Sequence, residues 1–415
     1  MVASRTLYHA GCALVALSLA GCTAGGQESA PFTTVEEISS PAAPGSAQPN
    51  LAAAGQRVYL SWLEPQGEEH ALRLALRENG SWSQPRTVAR GANFFVNWAD
   101  FPSVAVLPDG ALAAHWLVRS GPRSYDYDVH IALSADGGRS WSQPVVPHRD
   151  GTHSEHGFVS LFAAAQGGLA AAWLDGRETV PAEGDGRDGH GSGGSMTLRY
   201  TTLSAAGALG PEVLLDDRTC ECCQTAAAVT SSGPVVVYRD RSPEEVRDIY
   251  LVRYTGGTWS QPQPVHRDGW EITGCPVNGP AIAAAGEQVA VAWFTAAQES
   301  PRVQIAFSED AGASFGSPIR VDDGDPAGRA AVALLDDGSA LVSWLERVGE
   351  DAAVRVRRVQ RQGESGAAVT IAASSSARAS GFPRMLRVGD EVIFAWTDPG
   401  ESGGVRVSAA RLRDF

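Results

Sequence analysis

The sequence predicts an all-β chain closed into a ring of seven four-stranded antiparallel blades, a β-propeller. Three observations carry this. An aromatic residue ends a short apolar run at Trp62, Trp116, Trp173, Tyr238, Trp293, Trp344 and Trp396, at spacings of 54, 57, 65, 55, 51 and 52 residues. Each run is preceded by a second one across a Gly-containing turn, as in "SVAVLPDGALAAHW" and "AVALLDDGSALVSW", which reads as a hairpin. The last unit stops after its third strand, while "PFTTVEEIS" (31–39) stands before any complete repeat.

The elements follow in order within each unit. The first two strands are Ala-rich, as suits strands crowded round a central channel. A third strand follows ("VHIALS", "LRYTTL", "IYLVRY", "VQIAFS"), then a turn and a fourth ("SQPVVPH", "PEVLLDD", "SQPQPVH", "GSPIRVD"). Repeats of about 50 residues are too long for strand solenoids, whose periods are roughly 20–30 residues. The N-terminal segment is expected to supply the missing fourth strand of the last blade, so that no sheet edge stays open. A six-bladed ring with one stray hairpin is the alternative count.

Ahead of the ring, Arg5 precedes the apolar run "GCALVALSLA", which is too short to span a bilayer, and "LAGC" ends at Cys22. This resembles the lipobox of bacterial lipoproteins. The resemblance implies a signal peptide over 1–21, a lipidated tether over 22–31 starting at an acylated Cys22, and a propeller domain over 32–415. It places the chain on the cell envelope, and, if the cell is Gram-negative, at the outer membrane, because Thr23 rather than Asp follows the cysteine. The net charge is −14 and there is no lysine, so no basic tract exists to bind nucleic acid. A monomer held to the membrane by lipid alone is expected.

The turns between third and fourth strands carry a second motif. "SADGGRSW" (134–141) fits S-x-D-x-G-x-x-W, and "SEDAGASF" (308–315) fits with Phe315 in place of tryptophan. Asp136 and Asp310 can accept turn N–H bonds, while Trp141 and Phe315 pack between strands. These turns resemble the Asp-box of the BNR-repeat, sialidase-like propellers. The resemblance implies a carbohydrate-related scaffold, with the boxes themselves away from the active site. Sialidases of that family use three arginines, a Tyr–Glu nucleophile and an acidic acid/base. Here there is no Arg-Ile-Pro in the first blade, Tyr254 is the last tyrosine, and seven blades replace the usual six, so the catalytic set does not carry over.

Function is therefore sought on the face opposite the Asp-boxes, where blade links and second–third loops gather. Candidate binding residues there are Trp98, Asp100, His153, His156, Arg177, Arg239, Arg241 and Trp270. Asp100, Asp175, Asp240, Arg177, Arg239 and Arg241 form the only pool from which a catalytic set could come. The mature chain keeps Cys220, Cys222, Cys223 and Cys275, in links entering adjacent blades, and they are expected to meet. An oxidising compartment favours disulfides. The other reading is a copper or zinc site with His153, His156 or His266 as further ligands, and a redox-active pair is a third. The Gly/Asp stretch 184–194 reads as a lid rather than a calcium loop. The expected function is an exported ligand-binding propeller for a glycan or a metal-bearing partner. The alternatives are a sialidase-like glycoside hydrolase and a scaffold in an envelope complex, and whether the chain is an enzyme stays open.

Overall fold

The computed structural model describes residues 30–180 and 194–413. The leader, Cys22 and most of the tether and of the 178–195 insertion lie outside them. The described residues form seven antiparallel sheets and no α-helix. Blade one contains Ala47–Ala54, Arg57–Gln66, Glu69–Glu78 and Arg86–Gly91; blade two, Ser103–Val106, Leu112–Arg119 and Tyr127–Ser134. Blade three contains His156–Ala163, Leu169–Asp175, Met196–Leu203 and Val213–Thr219; blade four, Ala226–Thr230, Gly233–Arg239, Ile249–Thr255 and Gln263–His266. Blade five is Ala281–Ala285, Gln288–Thr295, Arg302–Ser308 and Ile319–Arg320; blade six, Pro326–Leu334, Ala340–Val348, Asp351–Val359 and Val369–Ser374. Blade seven takes Arg384–Val388, Glu391–Asp398 and Gly404–Leu412 from the C-terminal end and Phe32–Ile38 from the N-terminal end.

The ring is thus seven-bladed and closed by the N-terminal strand, which pairs from Phe32 with Leu412 to Ile38 with Val407. Blade two departs from the expected four strands. "SQPVVPH" contributes only an isolated bridge, Ile131 to Val145, because Pro144 and Pro147 supply no N–H for a ladder.

Second-strand tryptophans fill the seams between blades. Trp62 packs with Ile393 and Val405 of blade seven, Trp293 with Val235 and Leu251 of blade four, and Trp344 with Ala292 and Ile305 of blade five. A buried indole needs an acceptor, and three of the six find an acid two residues along, on the same strand face. Trp62 Nε1 donates to Glu64 at 3.1 Å, Trp173 to Asp175 at 2.8 Å and Trp344 to Glu346 at 2.5 Å. Trp293, followed by Phe294 and Thr295, instead donates to Asp268 at 2.6 Å. The Trp-x-acid spacing is visible in "WLE" and "WLD" once the role is known.

The two Asp-box turns have the expected local form. Asp136 accepts the Arg139 and Ser140 N–H groups at 2.9 Å, and Asp310 that of Ser314 at 2.9 Å. Gly138 has φ +80°, and a Cβ there would lie 2.7 Å from Leu74, so glycine is required twice over. Trp141 packs into the seam of blades one and two, and Phe315 into that of blades four and five.

Candidate functional site at the channel mouth

The innermost strands surround a cavity of ≈ 450 Å³, whose lining includes Asn50, Asp100, Phe101, Gln224, Phe382 and Arg384. Two blade entries share a Phe-Pro step, Asp100-Phe101-Pro102-Ser103 and Gly381-Phe382-Pro383-Arg384, and their phenylalanines meet with centroids 5.6 Å apart. Links from several blades are stitched together here. Gln224 donates to the Ala99 carbonyl at 2.6 Å and accepts the Gly279 N–H at 3.1 Å.

Arg384 is the unpaired cation of this cavity. Its guanidinium lies 4.3 Å from the centroid of Phe101 and makes no hydrogen bond or ion pair with any described residue. Desolvation lowers its pKa to about 10, which leaves it charged at neutral pH. A desolvated guanidinium lying on a ring with free donors suits a carboxylate or sulfate. The sequence reading missed Arg384 because it lies in an innermost strand rather than in a loop; the repeated Phe-Pro entry was the available signal.

Asp100 lines the same cavity. Its Oδ1 accepts the Phe158 N–H at 2.8 Å, and its Oδ2 accepts the Tyr127 hydroxyl at 2.7 Å. The same hydroxyl lies 3.0 Å from Glu155 Oε1. One phenolic hydrogen cannot serve both acids, so the second contact is satisfied when a carboxyl carries its own proton. Burial raises Asp100 to about 7 against the pull of Tyr127 and Phe158, and burial and then the Asp100 charge raise Glu155 to about 8. Close approach requires Gly157, where a Cβ would fall 1.8 Å from Asp100 Oδ2. Phe158 beside it has φ +53°, in the left-handed region that non-glycine residues rarely occupy.

The other sequence candidates divide by place. Asp175 is held by Trp173 and by Arg177, at 2.6 Å from Arg177 Nη2, and Arg177 also pairs with Glu212 at 2.8 Å. Arg239 is buried and donates to the carbonyls of Asn278, Arg247 and Phe294 at 2.9, 2.6 and 2.7 Å, under the Trp270 ring at 4.8 Å. Arg241 pairs with Glu221 and Glu245. Trp98 stacks on Phe382 and is covered by buried Arg329 at 5.1 Å. Asp240 lies off the cavity, and burial together with Asp216 raises it to about 7. His153 is exposed, and its carbonyl accepts from Arg123. These arginines and tryptophans therefore pin links together, and among the pool only Asp100 lines the cavity.

The cysteines gather on the face opposite the Asp-box turns. Cys220 Sγ lies 2.6 Å from Cys223 Sγ and 3.9 Å from Cys222 Sγ, Cys275 stands against Cys222, and no S–S bond joins them. Burial pushes the Cys220 thiol up, but hydrogen bonds from Cys222 and Cys223 and the Arg247 guanidinium, 3.5 Å away, hold it well below the usual thiol range. The histidines proposed as fellow ligands are engaged elsewhere. His266 faces Asp268 at 2.9 Å, and His156 stacks on His148 with centroids 3.6 Å apart and an interplanar angle of 1°.

No protein-family model matches the chain, and no curated protein matches it. Solved structures do resemble it in fold. An ulvan lyase of a new polysaccharide lyase family, PL25, described as bound to -[GlcA(1-4)Rha3S]-, aligns at TM-score 0.59 with 11% identity over 90% of this chain and 95% of its own. The polysaccharide lyase Uly1 aligns at TM-score 0.51 with 9% identity over 88% and 89%. A protein of unknown function from Dyadobacter fermentans DSM 18053 aligns at TM-score 0.52 with 14% identity over 92% and 99%. At these identities the likeness is one of fold.

Proposed function

We propose that the chain is an exported propeller that binds the anionic end of an acidic glycan in its channel mouth. The carrying observation is Arg384, a desolvated guanidinium that makes no ion pair with a described residue and lies on Phe101, in a cavity that protonatable Asp100 also lines. An aromatic face beside a cation suits a sugar ring bearing a carboxylate or sulfate. The ulvan lyase of similar fold is described with a bound unit of that chemistry, which supports the reading by analogy of scaffold alone. A glycan array containing uronic-acid, sulfated and neutral chains tests it: retention of acidic chains only is expected, and binding of neutral chains alone would contradict it.

A second reading, cleavage of that glycan, is favoured by Asp100. A carboxyl raised to about 7 in the cavity can exchange a proton near neutral pH. Product analysis after incubation with array-positive glycans decides between binding alone and turnover.

The leader supports attachment to the cell envelope through lipid on Cys22. In that compartment the cysteines are read as two disulfides, Cys220–Cys223 and Cys222–Cys275, sealing adjacent links on the rim. Protein isolated without reductant should show no free thiols; four free thiols would contradict this.

A further inference from the structure

The four cysteines grade from surface to interior. Cys275 is exposed, Cys222 is half-buried, and Cys220 and Cys223 are buried. Cys222 has two sulfur neighbours: it stands against Cys275, and its Sγ lies 3.9 Å from Cys220 Sγ, which in turn lies 2.6 Å from Cys223 Sγ. We propose that these residues form a thiol–disulfide relay, which takes two electrons from an external dithiol at Cys275 and passes them through Cys222 to the buried Cys220–Cys223 pair. The relay rests on the reading of these sulfurs as two disulfides, to which it adds an activity.

Access differs between the two pairs. Thr273, Gly274 and Cys275 are consecutive exposed residues, and a Cβ on Gly274 would meet nothing within 4 Å, so a donor thiolate can approach Cys275. The inner pair is closed to it. Cys220 and Cys223 are 0% and 1% exposed, and their link is held at both ends. The Cys220 N–H donates to the Arg239 carbonyl at 3.0 Å, and Gln224, next to Cys223, joins Ala99 and Gly279. Exchange requires a thiolate to attack a disulfide sulfur directly, so a sealed pair is reduced only by a sulfur already beside it. Cys222 is that sulfur. Two independent bridges would not require its near contact with Cys220.

The second observation is Arg247. This buried guanidinium places Nη1 3.5 Å from Cys220 Sγ, while it also bonds Glu221 at 2.8 Å and Glu245 at 2.9 Å. A disulfide sulfur carries no charge, so the Arg247 donor is strongest towards Cys220 as a thiolate. It thereby makes Cys220 a good leaving group in exchange.

The steps balance. The donor thiolate attacks Cys275 Sγ, the Cys222–Cys275 bond breaks, and Cys222 leaves as a thiolate. The donor's second thiolate then attacks its own sulfur in the mixed disulfide, so the donor departs as a disulfide and Cys275 as a thiolate. Cys222 attacks Cys220 Sγ, and Cys223 leaves and takes up a proton. Finally Cys275 attacks Cys222 Sγ, which restores the Cys222–Cys275 bond and releases Cys220 as the thiolate beside Arg247. Two electrons have passed from the donor to the inner pair. Of the donor's two protons, one is on Cys223 and one is in solvent.

The test uses the full chain, isolated without reductant and treated with one equivalent of dithiothreitol. After acid quenching, unfolding and alkylation, peptide mass spectrometry locates the new thiols. They should lie on Cys220 and Cys223, the buried residues, with Cys222 and Cys275 recovered still joined. In Cys222→Ser, which removes the carrier, the Cys220–Cys223 bond should survive the same treatment. If that variant misfolds, the map of the native chain still decides. New thiols on Cys222 and Cys275, no reduction at all, or equal reduction of the inner pair in folded Cys222→Ser would overturn the relay and leave the two disulfides standing. Four free thiols before any dithiol is added would remove the disulfide reading, and the relay with it.

Discussion

Arg384 lies 4.3 Å above the ring of Phe101, although the two residues are 283 positions apart and enter the channel from different blades. Propeller closure brings them together. The pairing leaves the guanidinium in the cavity lining without an ion pair to any described residue, and that property distinguishes Arg384 from the arginines on the rim.

Arg239→Ala should destabilise the fold rather than selectively remove ligand binding. Three buried carbonyls lose their donor, at roughly 1–3 kcal/mol for each group left unsatisfied, and the Trp270 ring loses its cation. A urea midpoint well below that of the parent is expected. Unchanged stability with lost ligand binding would show instead that Arg239 contacts the ligand.

Trp344→Ala should cost about 3–5 kcal/mol, since it opens a cavity in the seam between blades five and six. Glu346→Ala should cost about 1–3 kcal/mol through the unsatisfied indole N–H and the freed Asp325 N–H. Chemical denaturation of both variants checks the order.

The Asp100 shift predicts a stability slope with a definite sign. Its folded value, about 7, lies above the ordinary carboxyl value of 3.8, so the native chain holds a proton that the unfolded chain has released. That contribution is fully present below about pH 4 and is lost as pH rises through 7. Asp100→Asn should flatten the fall in stability between pH 4 and 7 by a few kcal/mol. Denaturant midpoints measured across that range test it, and an unchanged slope would contradict the assignment.

Removing residues 30–38 should expose the Gly404–Leu412 strand as an open edge. Loss of thermal stability and concentration-dependent association are expected by light scattering.

The ring was legible because each blade repeats one device, a tryptophan or tyrosine closing the second strand, and because the final unit visibly lacks a strand. The outer strand of blade two was not, since "SQPVVPH" keeps the apolar spacing of its neighbours while Pro144 and Pro147 remove the donors. The gathering of the cysteines followed from two links entering adjacent blades. The roles of Arg239, Arg241, Trp98 and Trp270 did not follow from sequence, because a loop arginine reaching a ligand and one reaching three carbonyls look identical in a row of letters. His148 escaped notice for a related reason. It lies near the end of a segment that reads as a strand, and only the folded link turns it onto His156.

Calorimetric titration of the parent and of Arg384→Met with one uronate-terminated oligosaccharide tests the central claim most directly. The expected result is binding by the parent that weakens with added salt, and a loss of at least about 2 kcal/mol (roughly thirtyfold) in Arg384→Met at unchanged thermal stability. Equal affinity of the two proteins for the acidic sugar would contradict it.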